Sequence, residues 1–437
     1  MSASESTSGG ADGTRGTGST GSAADGTTPS AADRPTGSTA VRGRTAVPER
    51  AAPPGQTAVR GRTGPPRQGA VPVPRRSARP VGYGLLRTGR RASFLLHRRA
   101  AVVALALTAA TAAVCVAYLC LGESLIAPGD AVKAVLHTQY GIGQPTPNDL
   151  VVGTLRLPRM TLGLLVGAAF GIAGALIQTV ARNPLASPDI IGVTQGASAV
   201  TVGAMTYGVT AFAVLPYLSV AGGLAAAALV YVFAWRGGLQ ATRFVLIGIG
   251  FAVALRSITQ LFLTKGDYLV AQQAKVWMTG SLNGRGWDEA TPLGWALLFL
   301  LPAVVWAARA QRTVSMDDDT ATALGVRLGR VRLGLATLGI VLAAMATGAA
   351  GPVDFVALLA PQIARRMTRT AQIPLLCSAL TGSFIVVAAD LLARKAFAPT
   401  ELPVGVLTAA VGAPYLIYLL LTSGGRGRSS RNGGTTA

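Results

Sequence analysis

The side chains able to do chemistry are few in the apolar parts of this 437-residue chain, and they form no bond-breaking set. His97 and His137 are the two histidines and no HExxH motif occurs, which disfavours a metalloprotease embedded in a membrane. Cys115, Cys120 and Cys377 lie in apolar runs without CxxC or Cys/His spacing and read as small core residues. No GxxxxGK[ST] phosphate loop is present, so ATP is not hydrolysed on this chain by that mechanism. Neither a catalytic residue nor a metal ligand is expected. What remains is isolated charge and amide: Arg156, Arg159, Asp189, Arg256, Asp354, Asp390, Arg394 and Glu401, with Gln178, Gln195 and Gln260. Arg256 falls near the middle of FVLIGIGFAVALRSITQLFL, Phe244 to Leu263, flanked by Ser257 and Gln260. A charge at mid-bilayer costs at least about 2.5–3.5 kcal/mol on insertion scales, so Arg256 faces a polar cavity or a partner, sits nearer an end than the run suggests, or pairs with Asp390. The scarcity of carboxylates away from the ends of the runs disfavours a proton- or sodium-driven carrier, although backbone carbonyls alone can bind sodium.

The elements that must hold these residues are membrane spans. Half of the residues are hydrophobic and 13% are charged. Apolar runs of about 18–22 residues, each long enough to cross a bilayer, recur from Ala100 to Leu421. Charged and Pro/Gly punctuation divides them into ten spans, near 100–121, 158–180, 191–208, 212–235, 244–264, 291–309, 333–350, 353–368, 374–391 and 403–422. The first run starts too deep for a secretory signal peptide, so no cleaved leader is expected. Residues 1–92 are Gly-, Ala-, Thr-, Ser-, Pro- and Arg-rich and repeat TAVRGRT at Thr39 and Thr57. They cannot bury enough surface to offset chain entropy and read as a disordered basic tail. Its arginines 75, 76, 79, 87, 90 and 91 offer a sharper alternative, attachment to anionic lipid. Residues 93–424 are the span domain, and 425–437 a short basic tail. The net charge of +21 would suggest nucleic acid in a soluble protein, but here it sits in the tail and in short loops. The loops that would be cytoplasmic carry most of the arginines, which places both termini inside and excludes nucleic acid as the partner.

Two interruptions stand out. Gly163, Gly167 and Gly171 recur every four residues with Gly174 three further on, a ridge that lets a neighbouring backbone approach. It runs into RNPLASPDIIGV, Arg182 to Val193, where two prolines break the helix. Such a break is costly in lipid unless it reaches water or buried protein. Farther on, Asp317, Asp318 and Asp319 precede Ala321 to Leu324 and Gly325 follows, the signals of a short capped helix between spans six and seven.

Residues 155–199, LRLPRMTLGLLVGAAFGIAGALIQTVARNPLASPDIIGVTQGASA, resemble the FecCD-like permease subunits of iron–siderophore and vitamin B12 ABC importers. Further blocks agree in order: WMTGSL (277–282), ALGV (323–326), GPVDFVALLAPQIAR (351–365), and ADLLAR with ELPVGVLTAAVGAPYLIYLL (389–420). The resemblance covers about residues 95–422. It departs from the family at Ala357 and Gln362, where members usually read FVGL and Pro-His, and the long N-terminal tail has no counterpart. Asn183, Pro184, Leu185, Ala186, Pro188, Gly192 and Pro361 belong to its structural signature.

The resemblance implies an all-α bundle of ten transmembrane helices with inverted halves in spans 2–5 and 7–10, in a bacterial cytoplasmic membrane. It also implies partners: a second permease copy or paralogue around one path, a cytoplasmic ABC ATPase dimer that carries ATP and Mg, and an extracytoplasmic substrate-binding protein. No cofactor is expected on this chain. Thr320, Ala321, Ala323, Leu324, Gly325, Val326 and Arg327 then form the helix that docks on the ATPase. Arg156, Arg159 and Arg394 receive glutamates of the binding protein, a role that suits the planar fork of arginine. Gln178, Arg256 and Gln260 line the path, with Arg256 tuning it for an anionic or polar chelate. The implied substrate is an Fe(III)–siderophore complex, with vitamin B12 or heme as rivals. An ion-coupled secondary carrier or a membrane scaffold are rivals of other classes. RNPLASP is read as the shaped inner turn between spans 2 and 3, near the cytoplasmic exit.

Overall fold

The computed structural model describes residues 83–88, 92–122, 124–209, 213–235, 241–316, 318–397 and 400–424. Most of the expected tail, and all of residues 425–437, lie outside these residues. Where the tail was expected to run on to residue 92, two short strands, β1 (Tyr83–Thr88) and β2 (Ala92–His97), pair antiparallel. Their sequences, YGLLRT and ASFLLH, hold the first cluster of large apolar residues in the chain.

The rest is helical. Each of the ten expected spans coincides with a helix: α1 (Arg98–Cys120), α3 (Leu157–Ala181), α4 (Val193–Thr206), α5 (Leu215–Ala234), α6 (Ala241–Lys265), α8 (Trp287–Val314), α10 (Leu328–Ala350), α11 (Val356–Thr368), α12 (Leu375–Ala396) and α13 (Val404–Gly424). Three further helices lie between them: α2 (Pro128–Tyr140), α7 (Tyr268–Met278) and α9 (Asp318–Ala323), and a π-helical stretch at Leu150–Arg156 leads into α3. Among the described residues seven helices are long and apolar enough to cross a bilayer, and α4 and α11 are not among them. At 1.5 Å per residue, α4 with 14 residues and α11 with 13 span about 20 Å, short of the roughly 30 Å hydrocarbon core. Each follows an irregular segment that penetrates the bundle, 182–192 before α4 and 351–355 before α11. Irregular backbone at that depth has to be covered by protein, and it is: Ala186, Ser187, Pro188, Gly351, Pro352 and Val353 are buried.

The centre is α3 and α10. In each, 72% of the most apolar stretch is buried, against 11% in α1 and 17% in α6 and α8, so the last three are the outward-facing helices. Helices in lipid gain little from hydrophobic exclusion and associate through close packing of small residues. The glycine ridge of α3 does this. A β-carbon built on Gly167 would lie 2.4 Å from the Gly382 carbonyl oxygen of α12, and one on Gly171 2.2 Å from that of Ser378. One on Gly174 would lie 1.7 Å from the carbonyl oxygen of Ala357, in the first turn of α11. Here the family pattern has Gly where this chain has Ala357, and the clearance comes from Gly174. At the end of the bundle where α3 starts, WMTGSL ties three elements: Ser281 N–H donates to the Ala350 carbonyl at 2.9 Å and Gly405 N–H to that of Gly280 at 3.1 Å. Gly280, at φ 68°, sits where a β-carbon would be 2.1 Å from the Pro352 carbonyl oxygen, so neither its conformation nor its space admits a side chain.

Candidate functional site

Three places hold the residues singled out from the sequence. The first is a cleft of about 560 Å³ at the start of α3, lined among others by Arg156, Arg159, Arg285, Arg394, Lys395 and Glu401. Arg156 and Arg159, expected to receive glutamates of a binding protein, line the cleft and are buried. Arg156 donates to the Leu119 carbonyl at 2.5 Å, and to the Ser124 carbonyl and hydroxyl at 2.8 and 3.2 Å, holding the exit from α1. Arg159 grips Asp390 with both edges of its fork, Nε to Oδ2 at 2.9 Å and Nη2 to Oδ1 at 2.8 Å. Its remaining Nη1 reaches Glu401 at 2.9 Å and Asn283 at 3.3 Å. Tyr118 donates its hydroxyl to Asp390 at 2.5 Å, and the Arg394 guanidinium lies 4.3 Å from the Tyr118 ring centroid. Desolvating such a pair is costly unless further hydrogen bonds satisfy it, and Tyr118, Asn283 and Glu401 do so. Tyr118 and Asp390 acquire their roles only through contacts distant in sequence.

The second place is the end of the bundle where α3 ends. Gln178, expected on the path, is buried and spends its amide inside the bundle: Nε2 donates to the Leu358 carbonyl at 3.1 Å, and Oε1 accepts from Gln362 Nε2 at 2.5 Å. The departure from the family at Gln362 is thus one half of a glutamine pair that braces α3 against α11. Nearby, Arg365, Arg366 and Arg369 line a basic cleft with Gln362 and Thr370. The short helix α9 ends at Ala323, and the expected segment 320–327 continues past it as a turn, with Gly325 at φ 77°. Ala321 anchors the helix in the core, while Thr320, Ala323, Leu324, Gly325 and Arg327 are exposed and Val326 is half-buried. Leu324 is 68% exposed, an apolar side chain presented by a polar loop. The Asp318 carboxyl is pushed up by slight burial, but Arg332 and Arg182, by hydrogen bond and charge together, outweigh this and hold it below the usual carboxylate range.

The third place is where the two broken segments enter the bundle. Gly192, at φ 90°, opens α4 and lies against Gly248 and Ala252 of α6. Phe355, at φ 66°, opens α11 and lies against Gly412 of α13. Asp189 accepts from Thr194 at 2.5 Å. Asp354 lies within electrostatic reach of both Asp189 and Arg256. Arg256 and Gln260 are exposed on the surface of α6, one turn apart. Arg256 therefore neighbours Asp354, and the alternative partner Asp390 is committed to Arg159. The conjunction of Asp189, Asp354 and Arg256 was missed because each carboxylate lies in a break, close to the end of its apolar run. Of the structural signature, Ala186, Pro188, Gly192 and Pro361 are buried, Leu185 is half-buried, and Asn183 and Pro184 are exposed. Among the described residues no group of three His, Cys, Asp or Glu side chains is arranged to hold a metal ion.

Comparison with known proteins gives a consistent picture. The sequence profile of the FecCD transport family matches residues 110–422. The ferric enterobactin transport system permease protein FepG of Escherichia coli (strain K12) is 42% identical over 280 residues, 63% of this chain and 84% of that protein. The achromobactin transport system permease protein CbrC of Dickeya dadantii (strain 3937) is 38% identical over 312 residues, 71% of this chain and 88% of that protein. The probable siderophore transport system permease protein YfhA of Bacillus subtilis (strain 168) is 37% identical over 332 residues, 74% and 95% of the two chains. A solved structure described as an inward-facing conformation of a metal-chelate type ABC transporter is similar with a TM-score of 0.63 and 25% identity, covering 74% of this chain and 99% of that one.

Proposed function

The chain belongs to the FecCD transport family, and from that premise we propose that it is the membrane permease of an ABC importer that takes up an Fe(III)–siderophore complex, driven by ATP hydrolysis on a separate chain. One observation carries the reading: relatives 37–42% identical, each matched over at least 84% of its own length, bear the names of ferric-siderophore or siderophore permeases. The multi-pass bundle belongs in the cell membrane, with the Arg-rich loops and both termini inside. Leu324 and its neighbours on α9 dock in a groove on the ATPase. The basic cleft receives acidic side chains of a binding protein through Arg394 and Lys395, while Arg156 and Arg159 hold the cleft in shape. Arg256 and Gln260, polar groups on a mid-span surface, face a path shared with a second permease copy or paralogue, since lipid would not accept them. The iron stays with its chelator and is cargo. This chain's part is to bind, orient and release the complex.

Reconstitution tests the reading. The full chain, its candidate ATPase and its binding protein are placed in proteoliposomes and offered ferric enterobactin, ferrichrome, ferric citrate, vitamin B12 and heme. Uptake of a ferric chelate that requires ATP on the ATPase side is expected. Uptake of vitamin B12 or heme alone would replace the siderophore assignment, and accumulation by this chain without the ATPase would identify a secondary carrier.

A further inference from the structure

Arg182 closes α3 in the left-handed region, at φ 49°, and begins the broken segment. A non-glycine residue keeps that conformation where its surroundings impose it. Here the side chain supplies the constraint. Nη2 of Arg182 donates to the Val314 carbonyl at 3.1 Å, the Met316 carbonyl at 2.9 Å and Asp318 Oδ1 at 2.5 Å. The same Asp318 oxygen accepts from Arg332 Nη2 at 2.7 Å, in the first turns of α10. One guanidinium therefore grips the last turn of α8, the turn after it and the start of α9, and the carboxylate it shares reaches α10.

The other end of the segment rests on α6. A β-carbon built on Gly248 would lie 2.9 Å from the Ile191 Cα, and Gly192 meets the Ala252 backbone. Arg256 is one helical turn beyond Ala252. Between the two ends the segment is stiffened by Pro184 and Pro188, whose rings fix φ, and by short turns. Leu185 N–H donates to the Asn183 side chain at 2.9 Å, and Ala186 N–H to the Asn183 carbonyl at 3.1 Å. Ile191 N–H donates to the Pro188 carbonyl at 3.2 Å. An exposed ion pair contributes little to stability by itself. What distinguishes Arg182 is that its acceptors run from the end of α8 to the start of α9, the helix proposed to meet the ATPase, while its backbone starts a stiff segment that ends on α6.

We propose that Arg182 is a positioning residue that makes α9 and the segment 183–192 move as one body, so that displacement of α9 is delivered to the α6 surface carrying Arg256 and Gln260. The inference rests on the ATP-driven reading above. Allosteric delivery of this kind needs an element whose position both sites bias, and in this proposal segment 183–192 has that role.

The test compares wild type and Arg182→Ala in the reconstituted complex, with the chelate panel above as radio-labelled probes. ATPase co-purification and hydrolysis are expected to persist within about twofold while uptake per ATP hydrolysed falls about tenfold or more, the scale of an ordinary coupling free energy. A residue that merely supports the fold would lower assembly, hydrolysis and uptake together, and that result overturns the proposal. So does an unchanged ratio of uptake to hydrolysis. Should Arg182→Ala fail to fold, Asp318→Asn keeps the two carbonyl contacts and weakens the shared ionic one. The same split is expected, smaller in size, and its absence is equally decisive. If the wild type moves no panel member with ATP, the importer reading fails first and this proposal with it.

Discussion

The buried ionic knot of the cleft at the start of α3 is the residue-scale feature with the largest predicted effect. Asp390→Ala leaves the Arg159 cation buried with its inner edge unpaired, a change that costs roughly 3–5 kcal/mol. Tyr118→Phe removes one hydrogen bond to a charged carboxylate, at a cost of about 1.5–3 kcal/mol. The midpoint of thermal unfolding in detergent should therefore fall further for Asp390→Ala than for Tyr118→Phe, and equal shifts would contradict the pairing. A second prediction concerns pH at the loop that carries α9. Because Asp318 has its pKa lowered by Arg332 and Arg182 against slight burial, the clamp is fully formed above the unfolded carboxylate value of about 3.9 and is lost as pH falls through the still lower folded value. Label mobility at Thr322 should stay constant from neutral pH down to about 4 and rise only below it; a rise near pH 6 would exclude Asp318 as the titrating group. Arg156, Arg159 and Arg394 were legible as cations at one end of the bundle. That Asp390, 231 positions from Arg159, fills its fork was not, since sequence spacing is silent on pairings between distant helices.

At the scale of elements, the ten span helices followed from apolar run length, and the glycine ridge from its four-residue period. The depth of the breaks did not. RNPLASP and GPVDF carry visible proline and glycine signals, but their neighbours Ile190, Ile191 and Val353 are apolar, so the runs seemed to begin two to three residues before α4 and α11 do. The helices α2 and α7 went unread because each has 11–13 residues and mixes polar with apolar side chains. The element-scale prediction is Gly174→Ala. Its new methyl would meet the Ala357 backbone, which cannot rotate away, so overpacking of at least about 1–3 kcal/mol is expected. The yield of folded protein should drop sharply, whereas Gly129→Ala, where a β-carbon meets nothing within 4 Å, should be neutral by the same measure. Equal behaviour of the two would mean that α3 and α11 do not approach as described.

For the whole molecule, family membership was legible from ordered blocks, none of which is decisive singly, and composition alone stopped at a polytopic membrane protein. The arrangement joins a basic cleft at the start of α3, two broken segments with Arg256 near them, and the α9 loop tied to one of those segments by Arg182. The most direct test is uptake of radio-labelled ferric chelate into proteoliposomes that hold the full complex, comparing ATP with a non-hydrolysable analogue on the ATPase side. Chelate accumulation with ATP and none with the analogue is the predicted result. Equal accumulation with both, or accumulation by this chain alone, would contradict the account.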